Sequence, residues 1–528
     1  VSDLLRSNLV VAAGTALSRL TGLARIAVFA VVVGQAALAD AYTSANNSPN
    51  AIYELLLGGV LSAALVPLFT RHHERGDDDA TSAVVTVAML ALTALTVVAV
   101  AAAPLVFRLF SLDVADGVDP EEYRAAGTSL ARIFLVQVFF YGMAALTNAM
   151  LQARRRFFAP AWAPVLSNVI VIVSLVLVAQ QLQGREPSLT DLLIDDRLRW
   201  TLGLGTTIGI ATMALVTIPA LRANGATVRF RPDLGHPAVR DLVRVSGWTF
   251  GYVVANQVAI VVVQNLADPG SGELNAYSIA YVFFVLPHGL LTMSIVTTFT
   301  PEMSSAVARR DRAALIDRAA LGIRIVALLS VPAAVLLFVL RRPLVAAGLQ
   351  HGNFGADDAL LTSRALAGFA LGLIGFSVYL FALRVFYAHR DARTPFVLNV
   401  FENLLNIVLA IVLVERFGVL GLGASFAIAY TLSAVWALAV IGAKVPGFPA
   451  RATLRRLVPL LIAGVLMADV TWLAARIVGD DAGIGAFARL TIATAAGVAV
   501  YVAALWAMRV PELDHVRRLA ARLDRRLP

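Results

Sequence analysis

Hydrophobicity along this chain comes in long runs and not in short alternations. Apolar stretches lie at about 8–34, 42–70, 80–110, 127–152, 160–182, 199–222, 240–266, 273–301, 313–340, 361–388, 394–415, 420–444, 453–478 and 485–508, each bounded by charged or turn-forming residues. An α-helix needs roughly 20 apolar residues to cross the hydrocarbon core of a bilayer. The pattern therefore predicts about fourteen transmembrane helices. Almost nothing resembles the short alternating strands of a closed barrel. The expected fold class is all-α, a polytopic membrane protein.

The runs repeat. Ala153-x6-Pro160-x7-Asn168 recurs as Ala388-x6-Pro395-x7-Asn403 at an offset of 235, and Pro67 with Asp77 recurs as Pro301 with Asp311 at an offset of 234. Both matches fall at the ends of corresponding runs, which predicts a duplicated six-helix unit. Six is even, so the two copies insert with the same orientation and are related by an axis along the membrane normal. The expected organisation is two pseudo-symmetric six-helix lobes, 1–233 and 234–446, with substrate between them. An extra helix pair follows at 447–510, then a tail at 511–528. In the tail, Leu513, Val516, Leu519, Leu523 and Leu527 interleave with Arg517, Arg518, Arg522, Arg525 and Arg526. That spacing fits a basic amphipathic helix on an anionic cytoplasmic leaflet, or a solvated positive tail.

Composition narrows the class. Of 528 residues 59% are apolar and 15% charged, against roughly 25% charged in ordinary soluble proteins. This excludes a soluble globular enzyme, a disordered chain and a typical nucleic-acid binder. The net charge of +9 belongs to the loops. With the N-terminus inside, 27 Lys and Arg fall on the cytoplasmic side, 11 on the other side and five within spans. The positive-inside bias places both termini in the cytoplasm. No short cleavable apolar stretch precedes the first long run, so no signal peptide is expected.

Other chemistry is excluded by what the chain lacks. It has no cysteine, hence no disulfide, thiolate metal site or catalytic thiol. Its single lysine, Lys444, follows Ala443, so a Walker A loop is impossible. Uphill transport would draw on a gradient or the membrane potential, unless a partner hydrolyses nucleotide. The seven histidines form no HExxH and no ligand-like pair, and adjacent His72 and His73 read as solvated loop residues. No metal site, cofactor or enzymatic centre is expected, although a coupling cation of unknown identity is compatible with the pattern.

Polar groups inside spans are costly and mark function or an interface. Arg19 and Arg25 lie in the first span, about 9 Å apart along the axis and about 240° around it. Guanidinium groups bind phosphate bidentately, so two of them in one span suit an anionic headgroup; snorkelling to the interface is the alternative. The second span opens with Asp40 and continues to Asn46-Asn47-Ser48-Pro49-Asn50 and Glu54. Pro49 removes a helical hydrogen bond and bends the chain, and Asn50 and Glu54 share a face four residues apart. Glu54 could carry a proton or cation, or pair with an arginine of the first span. Asp40 could cap the second span. Arg132, Arg324 and Arg384 sit near span ends, where snorkelling accounts for them. Asn168 and Asn403, at equivalent repeat positions, are expected to hydrogen-bond between helices. Gly205-x3-Gly209, Gly247-x3-Gly251 and Gly368-x3-Gly372 permit close helix approach.

Ser18-Arg19-Leu20-Thr21-Gly22-Leu23-Ala24-Arg25, then Asp40–Asn50 (DAYTSANNSPN), then Ala64–Pro67 (ALVP) resemble the N-terminal signature of the MurJ (MviN) lipid II flippases. Phe386–Pro395 (FYAHRDARTP) and Phe157–Asn168 (FFAPAWAPVLSN) are similar to that family's second-lobe and first-lobe signatures. The resemblance covers about 1–508 in order and spacing. It implies two six-helix lobes around a central cavity, with the extra helix pair forming a groove for a lipid tail. The family belongs to the multidrug/oligosaccharidyl-lipid/polysaccharide exporter superfamily.

The implied substrate is lipid II, the undecaprenyl-diphosphate precursor of peptidoglycan, moved by alternating access from the inner to the outer leaflet of the bacterial cell membrane. The implied partners are that lipid, membrane lipids and the cell-wall synthesis machinery, with no nucleic acid. Carried over residue by residue, the cavity arginines are Arg19 and Arg25, the outer aspartate is Asp40 and the Pro-Asn pair is Pro49-Asn50; Asn50 and Tyr53 are expected to line the substrate site. Asp40, Pro49 and Glu54 take gating or coupling roles. The chain departs from the family pattern at four charged positions, which hold Ile26, Tyr53, Gly58 and Val282 here. Its cavity is therefore expected to be less cationic. An exporter of another polyprenyl-linked oligosaccharide, a cation-coupled drug exporter and a non-transporting cell-wall scaffold are the alternatives to lipid II flipping.

Overall fold

The structure is a computed structural model that describes residues 2–55, 61–239, 247–480 and 483–512. Every regular element among the described residues is a helix. In chain order they are α1 (Ser2–Val33), α2 (Ala37–Tyr53), α3 (Leu61–Arg75), α4 (Asp78–Ala101), α5 (Ala103–Leu109), α6 (Pro120–Phe134), α7 (Gln137–Ala153), α8 (Phe158–Leu182), α9 (Leu189–Ile194), α10 (Asp196–Leu215), α11 (Thr217–Ala223) and α12 (Gly247–Leu266). There follow α13 (Glu273–Pro287), α14 (Met293–Ala308), α15 (Arg312–Val339), α16 (Arg341–Leu349), α17 (Ala356–Ala388), α18 (Arg393–Phe417), α19 (Val419–Lys444), α20 (Ala450–Ile477) and α21 (Gly483–Ala507).

Among the described residues twelve helical stretches are long and apolar enough to cross a membrane, the first Ala13–Val33 and the last Gly485–Ala507. Two expected spans remain, and both fall where the description is interrupted. The run at 42–70 is seen as α2 and α3 on either side of 56–60, and the run at 240–266 as the shorter apolar helix Phe250–Leu266. The tail expected to be amphipathic, at 513–528, and Gly58 lie outside the described residues.

The outward faces are apolar, as a lipid solvent requires. On α18, Leu404, Val408, Ile411 and Val412 are each about half exposed or more, while Asn399, Glu402, Asn403 and Asn406 on the other face are buried. Polarity is thus inverted relative to a soluble helix.

Contacts divide the chain into two units, residues 1–275 with 351–355, and residues 276–350 with 356–528. On this division α12 groups with the first unit. There α8 packs on α1 and α10, α2 on α6, and α3 on α7. Its core joins Phe29, Leu38, Tyr42, Phe107, Tyr123 and Phe134. In the second unit α17 packs on α19 and α15, α18 on α19, and α20 on α21. Phe284, Phe369, Phe376 and Phe426 form an aromatic cluster with neighbouring ring centroids 5.2–5.7 Å apart.

The duplication is written in the backbone of each unit. Asp77 caps α4 by accepting from Ala80 N at 2.9 Å, and Asp311 caps α15 by accepting from Ala314 N at 2.9 Å. The residues just before these caps, Gly76 and Arg310, both take positive φ (67° and 57°), and so do Arg155 and Arg390 (57° and 58°) before α8 and α18. The helix widens into a π-type turn at 54–55 in one copy and at His288–Thr292 in the other. These pairs keep the offsets of 234 and 235 found in the sequence.

Small residues set the helix spacing. A Cβ on Gly368 would come within 2.6 Å of Ala424 N and Leu420 O, and one on Gly372 within 2.6 Å of the Ala427 Cα. Gly205 and Gly209 likewise lie against Ser174 and Ser167 of α8.

Two expectations need correction. His72 is not solvated: it is 8% exposed on α3 beside Thr81, and burial lowers its pKa although Asp77 pulls the other way. Arg324 does not simply snorkel: it pairs with Glu512 at 2.5 Å, the two side chains 15% and 5% exposed. A residue just past the last span supplies the counter-charge, so the guanidinium has no need to reach water.

Candidate substrate site in the first unit

Arg19 and Arg25 project from one continuous helix, α1. Gly14 and Gly22 on α1 face α8, where a Cβ on Gly14 would come within 2.8 Å of Trp162 Nε1. Asn168, buried on α8, donates to Ser18 O at 3.2 Å and to Thr21 Oγ1 at 3.1 Å. It therefore clamps α8 to the turn that carries Arg19. Asn403, its repeat equivalent, donates to Asn399 O within its own helix at 2.9 Å.

Arg19 is exposed and has no ion-pair partner among the described residues. Arg25 is half-buried and also lacks one. Its charge lies within electrostatic reach of Tyr42 and Tyr141. The Tyr42 hydroxyl shares a hydrogen bond with Thr206. Tyr141 in turn packs against Tyr53, ring centroids 5.4 Å apart.

Pro49 is buried inside α2, Asn50 is exposed just past it, and Tyr53 and Glu54 are half-buried at the widened turn. The helix loses its regular ladder here for two reasons: the missing proline N–H and the π-type turn, a device often found at functional sites. Glu54 makes no ion pair with either first-span arginine. The structure thus gathers Arg25, Tyr42, Tyr141, Tyr53 and Glu54 into one neighbourhood. Arg19 stands apart, as the angular separation on a straight helix requires.

Asp40 is fully buried and does not cap its own helix, whose N-cap is Ala36 with no side-chain bond. Instead its carboxylate accepts from Gly270 N (2.9 Å), Gly272 N (2.8 Å) and Asn275 N (2.8 Å). Gly270 and Gly272 take φ of +106° and +88°, which lets the loop turn its N–H groups inward. Thr43 adds a bond to Asn275 Oδ1 at 3.1 Å. Near this loop, Asp268 titrates high because burial, Asp116 and Asp113 all oppose its charge.

Two polar residues escaped the sequence reading. Tyr141 sits in an aromatic-rich run with no local mark. Glu402 is 1% exposed on α18 in the second unit, bonded to the Tyr430 hydroxyl, and its Oε2 has no partner among the described residues. An acidic residue in a span is itself the signal that would have found it.

These geometries describe a helix whose two guanidinium groups make no ion pair among the described residues, and a broken, polar second helix. The family model described as Lipid II flippase MurJ matches residues 29–492. The chain belongs to the lipid II flippase MurJ family. It is 30% identical over 481 residues to the Lipid II flippase MurJ of Burkholderia cenocepacia, covering 89% of each chain. It is 26% identical over 438 residues to the Probable lipid II flippase MurJ of Haemophilus influenzae, covering 80% of this chain and 82% of the relative. In fold it matches a solved lipid II flippase MurJ in an inward closed conformation, with TM-score 0.76 and 22% identity, over 94% of this chain and 98% of that one. An inward-facing multidrug resistance MATE family transporter of the MOP superfamily matches with TM-score 0.65 and 16% identity, over 80% of this chain and 95% of that one. Membership makes the chain a multi-pass membrane protein of a transporter family.

Proposed function

We propose that this chain flips lipid II across the bacterial cell membrane by alternating access, with both termini in the cytoplasm. The observation that carries the reading is the membership of 29–492 in the MurJ family combined with Arg19 and Arg25 on α1. Two guanidinium groups without an ion-pair partner among the described residues are positioned to bind an anionic diphosphate, and charge-assisted forks are the strong form of that contact.

Arg25 takes the diphosphate against the Tyr42 and Tyr141 hydroxyls. Arg19 takes it at an earlier or later stage of passage, being on another face of α1. Asn50 and Tyr53 line the sugar-phosphate path. Pro49 and the widened turn at Glu54 supply the flexible joint that lets α2 change shape, and Asp40 holds the loop at 270–275 as a gate element. The lobes are 1–233 and 234–446, with 447–510 as the groove for the polyprenyl tail. No nucleotide is consumed by the chain, and a gradient or the membrane potential drives the cycle.

A second reading, export of a different polyprenyl-linked oligosaccharide, is favoured by Tyr53, Gly58 and Val282 at positions charged in the resemblance. Expression in cells depleted of their lipid II flippase separates the two. Rescue by wild type and loss of rescue by Arg19→Ala/Arg25→Ala support lipid II. No rescue despite normal membrane insertion refutes it.

A further inference from the structure

The second unit carries a cavity of about 290 Å³ lined by Arg310, Asp311, Arg312, His389 and Lys444 together with apolar groups such as Leu315. A water takes up about 30 Å³ of liquid, so the space accepts a tetrahedral anion with its substituents. The cavity lies where α15 begins (Arg312), α18 begins (Arg393) and α19 ends (Lys444). Three apolar spans end there, which places it at the level of lipid headgroups.

The local carboxylates are already committed. Asp311 caps α15, Asp391 binds Lys444 at 2.8 Å, and Glu302 pairs with Arg318 at 3.1 Å. Arg310 and Arg312 are exposed and have no ion-pair partner among the described residues. His389 bonds through Nδ1 to Val385 O at 2.8 Å. A carbonyl only accepts, so Nδ1 carries the hydrogen.

Arg310 lies at a left-handed corner, as Arg155 and Arg390 do. It holds φ of 57°, where the equivalent corner of the first unit has Gly76 at 67°. The fold does not require arginine there, since glycine serves in the other copy.

We propose that this cavity binds a phosphate group, carried by the headgroup of an anionic membrane lipid, through the guanidinium groups of Arg310 and Arg312. Anionic headgroups are the phosphates present at this level of the bilayer, and basic pockets between span ends suit them. This site uses none of the α1 arginines and does not depend on the identity of the transported lipid.

The test uses the purified full chain, delipidated in neutral detergent and titrated with dioleoylphosphatidylglycerol or dioleoylphosphatidylcholine, with binding read by native mass spectrometry. Wild type is expected to prefer the anionic lipid. Arg310→Ala/Arg312→Ala is expected to weaken that binding about thirtyfold, from the contribution of two interfacial arginines. Arg155→Ala/Arg156→Ala removes the same charge from the corner before α8, whose residues do not line this cavity, and should bind as wild type does. Arg310→Lys/Arg312→Lys keeps charge without the fork and should fall between. Equal binding of the anionic lipid by wild type and Arg310→Ala/Arg312→Ala, or equal binding of both lipids by wild type, overturns the proposal. Displacement of the lipid by millimolar inorganic phosphate at constant ionic strength overturns the lipid assignment in favour of soluble phosphate.

Discussion

Asp40 offers the sharpest test of how the first unit is held. Its carboxylate is fully buried and accepts three backbone N–H bonds of 2.8–2.9 Å from Gly270, Gly272 and Asn275. Asp40→Ala leaves three N–H groups without an acceptor in a dry site. Each unsatisfied group costs about 1–3 kcal/mol, and the loop recovers part of this by relaxing, so the loss should be about 3–6 kcal/mol. Asp40→Asn keeps one carbonyl oxygen but turns an amine toward at least one N–H; by the same count it should lose about 1–3 kcal/mol. Gly272→Ala attacks the clasp from the other side, because its Cβ would run into Gln35 O and its φ of +88° is strained for alanine. Denaturant unfolding of the detergent-solubilised protein measures all three, and limited proteolysis at 267–275 reports whether the loop has come loose. If Asp40→Ala stays within about 0.5 kcal/mol of wild type, the range of an ordinary surface substitution, the clasp does not hold this loop and the reasoning fails.

The other predictions concern separate parts of the molecule. Breaking the buried Arg324–Glu512 pair by Glu512→Ala strands a charge and should destabilise by about 3–5 kcal/mol, whereas Arg324→Met/Glu512→Leu should be much milder; thermal unfolding distinguishes them. Gly368→Leu should prevent normal assembly of α17 on α19, since even a Cβ lies 2.6 Å from backbone atoms; a loss of monodisperse protein in size-exclusion chromatography checks this. Asp391 is opposed by burial but held at about 2, below its ordinary 3.8, by hydrogen bonds from Lys444 and Thr394. Because the folded pKa is depressed, its stabilisation is present above pH 3.8 and is lost as pH falls toward 2. Melting temperature measured against pH should show that fall in wild type and a smaller one in Asp391→Asn. Tyr141→Ala should reduce rescue of flippase-depleted cells while leaving membrane abundance unchanged, and undiminished rescue would remove Tyr141 from the site.

How much of this was legible in sequence depended on the range of each interaction. The spans were legible because a bilayer imposes its apolar length on each segment separately. The duplicated corners were half legible: Pro160 and Pro395 marked where α8 and α18 begin, but Arg155 and Arg390 gave no sign of left-handed backbone, which glycine normally announces. For Asp40 only a local cap is legible, because its true partners lie 230 residues or more along the chain. Arg324 shows no partner in the sequence for the same reason, Glu512 being 188 residues away. Glu402 is legible as an acidic residue inside a span, but nothing local marks Tyr430 as its partner. Tyr141 had no local pattern at all, since only packing brings its ring to Tyr53.

The central claim is that the α1 arginines move a diphosphate-linked lipid. The direct measurement is translocation of fluorescent lipid II in vesicles reconstituted with the purified full chain under an imposed membrane potential, followed by protection from an external quencher. The account predicts translocation by wild type, its loss in Arg19→Ala/Arg25→Ala at equal incorporation, and little transport of a polyprenyl-free phospholipid. Equal translocation of lipid II by wild type and the double variant would contradict it.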